Sequence, residues 1–199
     1  MSRLHSTPSQ TVGPYLHIGL SWEDGAYVVP EGAPGAVWIR GRVLDGAGEV
    51  VTDALVETWQ ADMDGRFDHP DDPRCGQPRS GQPRSRPHRG EVSGFRGFGR
   101  SDTSAGGYAI YTVVPGAVPG LDGDPQAPHI DVSIFARGML HRTVTRIYFP
   151  EHADAHVADP VLLSVPADRR STLIAARVAD GYTFDVHIQG NRETVFFDV

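Results

Sequence analysis

Apolar residues alternate with polar ones in seven short windows: Val37 to Leu44, Leu55 to Gln60, Tyr108 to Val113, His129 to Phe135, Thr143 to Phe149, Leu173 to Val178 and Phe184 to Ile188. A period of two is the mark of a strand with one buried face, because successive side chains project to opposite sides. Long stretches with a helical period are absent. Seven or more short strands must close on one another to hide their apolar faces, so the pattern predicts an all-β, antiparallel β-sandwich with long loops and little helix.

The turn Asp45-Gly46-Ala47-Gly48 separates the first two windows and is expected to join them as a hairpin, since glycine tolerates positive φ. Between about residues 70 and 90 the texture changes. Gly76-Gln77-Pro78-Arg79-Ser80 is repeated at once as Gly81-Gln82-Pro83-Arg84-Ser85, and no apolar side chain anchors the run. Such a segment cannot offset its ordering entropy by burial, so a mobile surface insertion is expected within a single domain spanning residues 1–199. Cys75 falls inside it, with no second cysteine in the chain to pair with. The loop aromatics Phe95 and Phe98 read as surface intended for burial against a partner.

At 199 residues the chain is long enough to bury a core without covalent staples. Twenty-five acidic against eighteen basic residues leave a net charge of −7, a sign ill suited to phosphate backbones, so a nucleic-acid partner is not expected. No run of about 18 apolar residues offers a membrane span, and no apolar leader opens the chain; a cytoplasmic protein is the expectation.

Several chemistries are excluded outright. The sequence contains no lysine for a Schiff base, no Gly-x-Ser-x-Gly elbow and no phosphate loop. Two histidine placements invite a metal. His152 and His156 lie four apart, but Pro150 and Pro160 confine them, and a surface turn is the expected form. His129-Ile130-Asp131 is different, because alternation puts both polar side chains on one face while Ile130, Val132 and Ile134 enter the core. With His187 this pair reads either as the facial triad of an Fe(II) and 2-oxoglutarate oxygenase or as structural polar residues. A noncatalytic sandwich module that binds a protein or carbohydrate is a further reading. Trp22, Trp38 and Trp59 fall near or within strand windows and read as core or interface anchors.

The surrounding text adds a resemblance. Glu57-Thr58-Trp59-Gln60-Ala61-Asp62 followed by Asp64-Gly65-Arg66-Phe67, then Gly97-Phe98-Gly99-Arg100, Gly107-Tyr108, Val114-Pro115-Gly116 and Pro128-His129-Ile130 resemble, in order and spacing, the intradiol ring-cleaving dioxygenases. That family binds Fe(III) with two tyrosines and two histidines. The corresponding positions here are Phe67, Val118, His129 and Asp131, so the resemblance implies an iron site with one ligand left of four, too few to hold ferric iron.

The resemblance extends to those family members built from two homologous chains, one of which has lost its iron site. Thr7 to Tyr15, Phe135 to Leu140 and Arg146 to Pro150 match the iron-free chain. It implies a homologous β subunit that holds Fe(III), with this chain shaping the pocket, in a higher-order assembly of such pairs. The composite enzyme would cleave 3,4-dihydroxybenzoate with dioxygen to 3-carboxy-cis,cis-muconate in aromatic catabolism. Thr11, Gly13 and Pro14 then match a segment lining the substrate cavity, and Arg137 an arginine near the substrate carboxylate, whose two oxygens its forked donors suit.

Overall fold

The computed structural model describes residues 6–74, 94–120 and 123–198. In chain order these form a helical turn α1 (Leu16–Leu20) and strands β1 (Ala36–Gly41), β2 (Val43–Leu44), β3 (Leu55–Trp59), β4 (Phe98–Asp102), β5 (Tyr108–Val113), β6 (Val118–Pro119), β7 (Pro125–Gln126), β8 (His129–Phe135) and β9 (Thr143–Tyr148). Beyond β9 come a 3-10 turn (Pro150–His152), helices α2 (Ala153–His156) and α3 (Pro160–Ser164), a second 3-10 turn (Arg170–Leu173), and strands β10 (Ala176–Val178), β11 (Gly181–Thr183) and β12 (Val186–His187).

Two four-stranded sheets, ordered β10-β11-β1-β5 and β4-β3-β8-β9, enclose the core. β8 shows why. Ile130, Val132 and Ile134 are essentially inaccessible while Asp131, Ser133 and Phe135 are half-buried, so one face of the strand meets Ile39, Ile110 and Tyr182 of the other sheet. Each such aliphatic side chain contributes roughly 1.5–3 kcal/mol on burial. A smaller cluster of Tyr148, Leu162, Val165 and Leu173 packs the short helices onto the end of β9.

The expected sandwich is present, with differences that have local causes. β11 and β12 pair in parallel with β1 and β2 respectively. β11 approaches β1 through Gly181, where an added Cβ would stand 2.0 Å from Trp38 O. The window Leu173 to Val178 is not one strand: Leu173 ends a 3-10 turn in which Thr172 Oγ1 donates to Arg169 O, and extended pairing begins only at Ala176. Phe184 to Ile188 likewise narrows to β12. The turn after Asp45 forms, with Asp45 Oδ1 accepting from Ala47 N and Glu49 N, but it returns the chain to Val51 beside Val43, not to a hairpin with β3, which joins the opposite sheet. Phe95 is 4% exposed and belongs to the chain's own core, whereas Phe98 opens β4. Cys75 and most of the expected insertion lie outside the described residues.

Candidate functional site

β3 ends at Trp59, which stands opposite Asp131 on β8. Beyond it the chain folds back at once, because Asp62 Oδ1 accepts from the backbone of Asp64 and Arg66 at 2.9 Å each. Gly65, at φ +73°, presses this turn against Ala117, whose carbonyl oxygen lies 2.0 Å from where a Cβ would be. Two distant segments are thereby brought side by side, one carrying Phe67 and the other Val118. The Phe67 ring stacks parallel on Trp59 at 6.0 Å, and Val118 is buried on β6, opposite Gln126.

His129 and Asp131 complete the set. His129 Nδ1 donates to Ala127 O at 2.7 Å, leaving Nε2 as the bare nitrogen of a neutral ring. Burial, reinforced by the charge of Arg146, holds its pKa below the ordinary histidine value. Asp131 faces Arg146 of β9 in register, and Arg146 Nε reaches Asp131 Oδ1 at 2.9 Å while Nη1 donates to Gln126 Oε1 at 2.6 Å. The Arg146 side chain is only 17% exposed. Burial opposes its charge, yet Asp131 and Tyr148 outweigh that and raise its pKa. The four positions are therefore linked through Trp59, Arg146 and Gln126 into one neighbourhood.

This donor set does not fit ferric iron. Phe67 offers no oxygen, Val118 is aliphatic, and the Asp131 carboxylate is already neutralised by a fixed guanidinium. A cleft of about 540 Å³ opens beside the Trp59 and Phe67 stack, walled further by Asp72, Arg74 and Pro119. His187 lies on β12, which pairs with β2 and not with the sheet of His129; among the described residues no three His, Cys, Asp or Glu side chains gather to hold a metal. The facial triad of His129, Asp131 and His187 is thus not assembled here. His152 ends the 3-10 turn that runs into α2, and the His156 ring packs edge-on against Tyr148 at 5.6 Å.

A second neighbourhood lies at the other end of β8. Thr11 Oγ1 accepts from Gly138 N at 2.8 Å, which brings the N-terminal segment beside Arg137. Gly13 sits at φ +74° with open space around it, and Pro14 is exposed. The Arg137 side chain is 65% exposed and its Nε lies 3.1 Å from Asp53 Oδ2. Thr11, Gly13, Pro14 and Arg137 thus share one edge of the molecule.

Two residues holding this segment were invisible as such in the sequence. Arg100 donates from Nε and Nη2 to Glu57 Oε1 at 2.8 and 2.5 Å and from Nη1 to Leu20 O at 3.0 Å, and its guanidinium lies 4.7 Å from the Trp22 ring and 5.2 Å from Phe98. Glu57 and Arg100 stand opposite each other across β3 and β4, so the pair of strands builds the clamp. What it clamps is apolar and open: α1 buries nothing, and Tyr15 and Ile18 are 77% and 65% exposed.

Comparison with known proteins agrees with this geometry. Residues 14–190 match a family model described as dioxygenase. The chain is 41% identical to the protocatechuate 3,4-dioxygenase alpha chain of Burkholderia cepacia over all of both chains, and 39% identical to that of Pseudomonas putida over 98% of this chain and 97% of the other. It is also 34% identical to the Burkholderia cepacia protocatechuate 3,4-dioxygenase beta chain, over 78% of this chain and 65% of the other. Its fold resembles that of catechol 1,2-dioxygenase from Acinetobacter sp. ADP1, with a TM-score of 0.58 at 17% identity over 81% of this chain and 55% of the other.

Proposed function

This chain belongs to the intradiol dioxygenase family, and from that membership we propose that it is the α-type subunit of a protocatechuate 3,4-dioxygenase, a single-domain cytoplasmic protein that shapes a composite site without holding its metal. The observation that carries the proposal is the Arg146 guanidinium, seated between Asp131 and Gln126 where the family's ligand positions converge. Paired with that cation, the Asp131 carboxylate has no free charge to offer a metal.

The homologous β subunit is the proposed holder of Fe(III), and that iron supplies the oxygenation chemistry by which 3,4-dihydroxybenzoate and dioxygen give 3-carboxy-cis,cis-muconate. This chain's work is binding and orientation. The exposed fork of Arg137 suits the substrate carboxylate, Pro14 offers a rigid apolar face to the ring, and Gly13 lets the backbone come close, with Thr11 tying the segment to Gly138. Holding a reacting ring in place matters because small displacements cost orders of magnitude in rate. The apolar surface of Val12, Tyr15, Ile18, Leu20 and Trp22 supports a partner docked over the N-terminal segment, since contiguous exposed apolar patches mark interaction surfaces.

The test is to express the chain alone and together with a homologue that keeps both tyrosines and both histidines. Ring cleavage and the visible absorption of a tyrosinate-ferric centre are expected only from the pair. A coloured, active, isolated chain would overturn the assignment.

A further inference from the structure

β3 and β8 run antiparallel, with Leu55 opposite Phe135 as their last ladder pair. Two residues further along each strand stand Asp53 and Arg137, so the register that builds the sheet also sets this ion pair. Its two members are held very differently. Asp53 sits on a fastened segment: Ala54 N donates to Thr103 Oγ1 at 3.0 Å, and that hydroxyl, fully buried, donates to Val51 O at 2.6 Å. The Asp53 side chain is 20% exposed and that of Arg137 65%. Only the arginine is free to meet another molecule.

The contact is made through Nε. The pair is an ion pair rather than an aligned hydrogen bond, so the forked N–H donors of the guanidinium stay available for a planar carboxylate. No other carboxylate among the described residues pairs with Arg137. With the neighbouring Gly138 N tied to Thr11, the backbone here is fixed, and the charge of Asp53 draws the guanidinium towards one side. An exposed arginine without such a tether samples many rotamers, and binding must then freeze them.

We propose that Asp53 is a positioning residue whose charge holds Arg137 at this edge, so that the guanidinium donors are presented to the carboxylate of an aromatic substrate in the composite pocket. This rests on the reading of Arg137 as the carboxylate anchor. The opposite effect is the physical competitor, because Asp53 is itself negative and a nearby anion repels an incoming carboxylate. The sign of the change on removing Asp53 decides between them.

The experiment is steady-state kinetics of the assembled α-β complex with 3,4-dihydroxybenzoate, using catechol, which lacks the carboxylate, as comparison substrate or competitive inhibitor. Asp53→Ala is expected to raise KM for 3,4-dihydroxybenzoate about threefold, ~0.7 kcal/mol, the range of an ion pair with an exposed partner, with kcat little changed. The ratio of its KM to the catechol constant should rise by the same factor. Asp53→Asn, which removes the charge but keeps the residue's shape, is expected to raise KM by a similar factor and keeps the question open to test if the alanine variant does not assemble. In an Arg137→Ala background Asp53→Ala should add nothing. A KM that is unchanged or lowered by Asp53→Ala, while Arg137→Ala raises it, would overturn the proposal and leave the Arg137 reading standing. Equal rises for both compounds would also overturn it. An Arg137→Ala complex with unaltered KM would remove the reading itself.

Discussion

Removing the carboxylate of Asp131 should be more damaging than removing the guanidinium it faces. Asp131→Ala leaves Arg146, 17% exposed, with the neutral Gln126 carbonyl oxygen at 2.6 Å and no anion at Nε. Stripping one partner from a fully buried pair costs roughly 3–5 kcal/mol. Asp131 is 36% exposed, so water already screens part of the interaction and the expected cost falls to about 1–2 kcal/mol. Arg146→Met is the reverse case. It keeps the unbranched apolar stem of the side chain, and the carboxylate left behind reaches water, so the cost should stay below about 1 kcal/mol. In a chain of 199 residues each kcal/mol is about 2–4 °C in Tm. Urea unfolding of the two variants, compared at equal m, measures the difference. If Arg146→Met costs as much as Asp131→Ala, Arg146 is not a cation tolerated for want of a metal but a net stabilising element, and the reasoning fails.

Other perturbations test other parts of the fold. Tyr108→Phe deletes a buried hydroxyl that donates to Phe184 O at 2.7 Å, and calorimetry should register a loss of about 1–3 kcal/mol. Gly65→Ala forces a Cβ against the Ala117 carbonyl at a positive φ; a loss of more than about 2 kcal/mol is expected, and a near-native denaturation midpoint would deny the close approach. Burial lowers the pKa of His129, His156 and His187 in the fold, so below about pH 6.5 the unfolded chain binds more protons and stability falls as pH falls through that value. His129→Gln should flatten that slope between pH 7.5 and 5.5 in guanidinium melts, and an unchanged slope would remove His129 from the effect.

The strands that alternate cleanly were legible in the sequence. Tyr108 to Val113 and His129 to Phe135 are β5 and β8 to the residue, because one face of each meets the core. β4 was not legible, since Gly99 lies at its centre and Phe98 is its lone apolar residue. The positions Phe67, Val118, His129 and Asp131 were picked out from motif order, but the turn at Gly65 and the contacts of Arg146 that tie them into one neighbourhood were not written in it. Arg146 itself carried no local signal: it is one charged residue in a strand, and its meaning lies in facing Asp131 across β8 and β9. Asp53 and Arg100 escaped for the same reason. Single-chain patterns give faces, and the partner of each side chain waits on register.

The arginine between Asp131 and Gln126 also bears on how the chain matures. The positive charge that this carboxylate requires is encoded in the polypeptide and arrives with translation, so the pairing of Asp131 does not wait on a metal. On the proposed α-β reading, scarcity of iron would therefore fall on the partner chain alone.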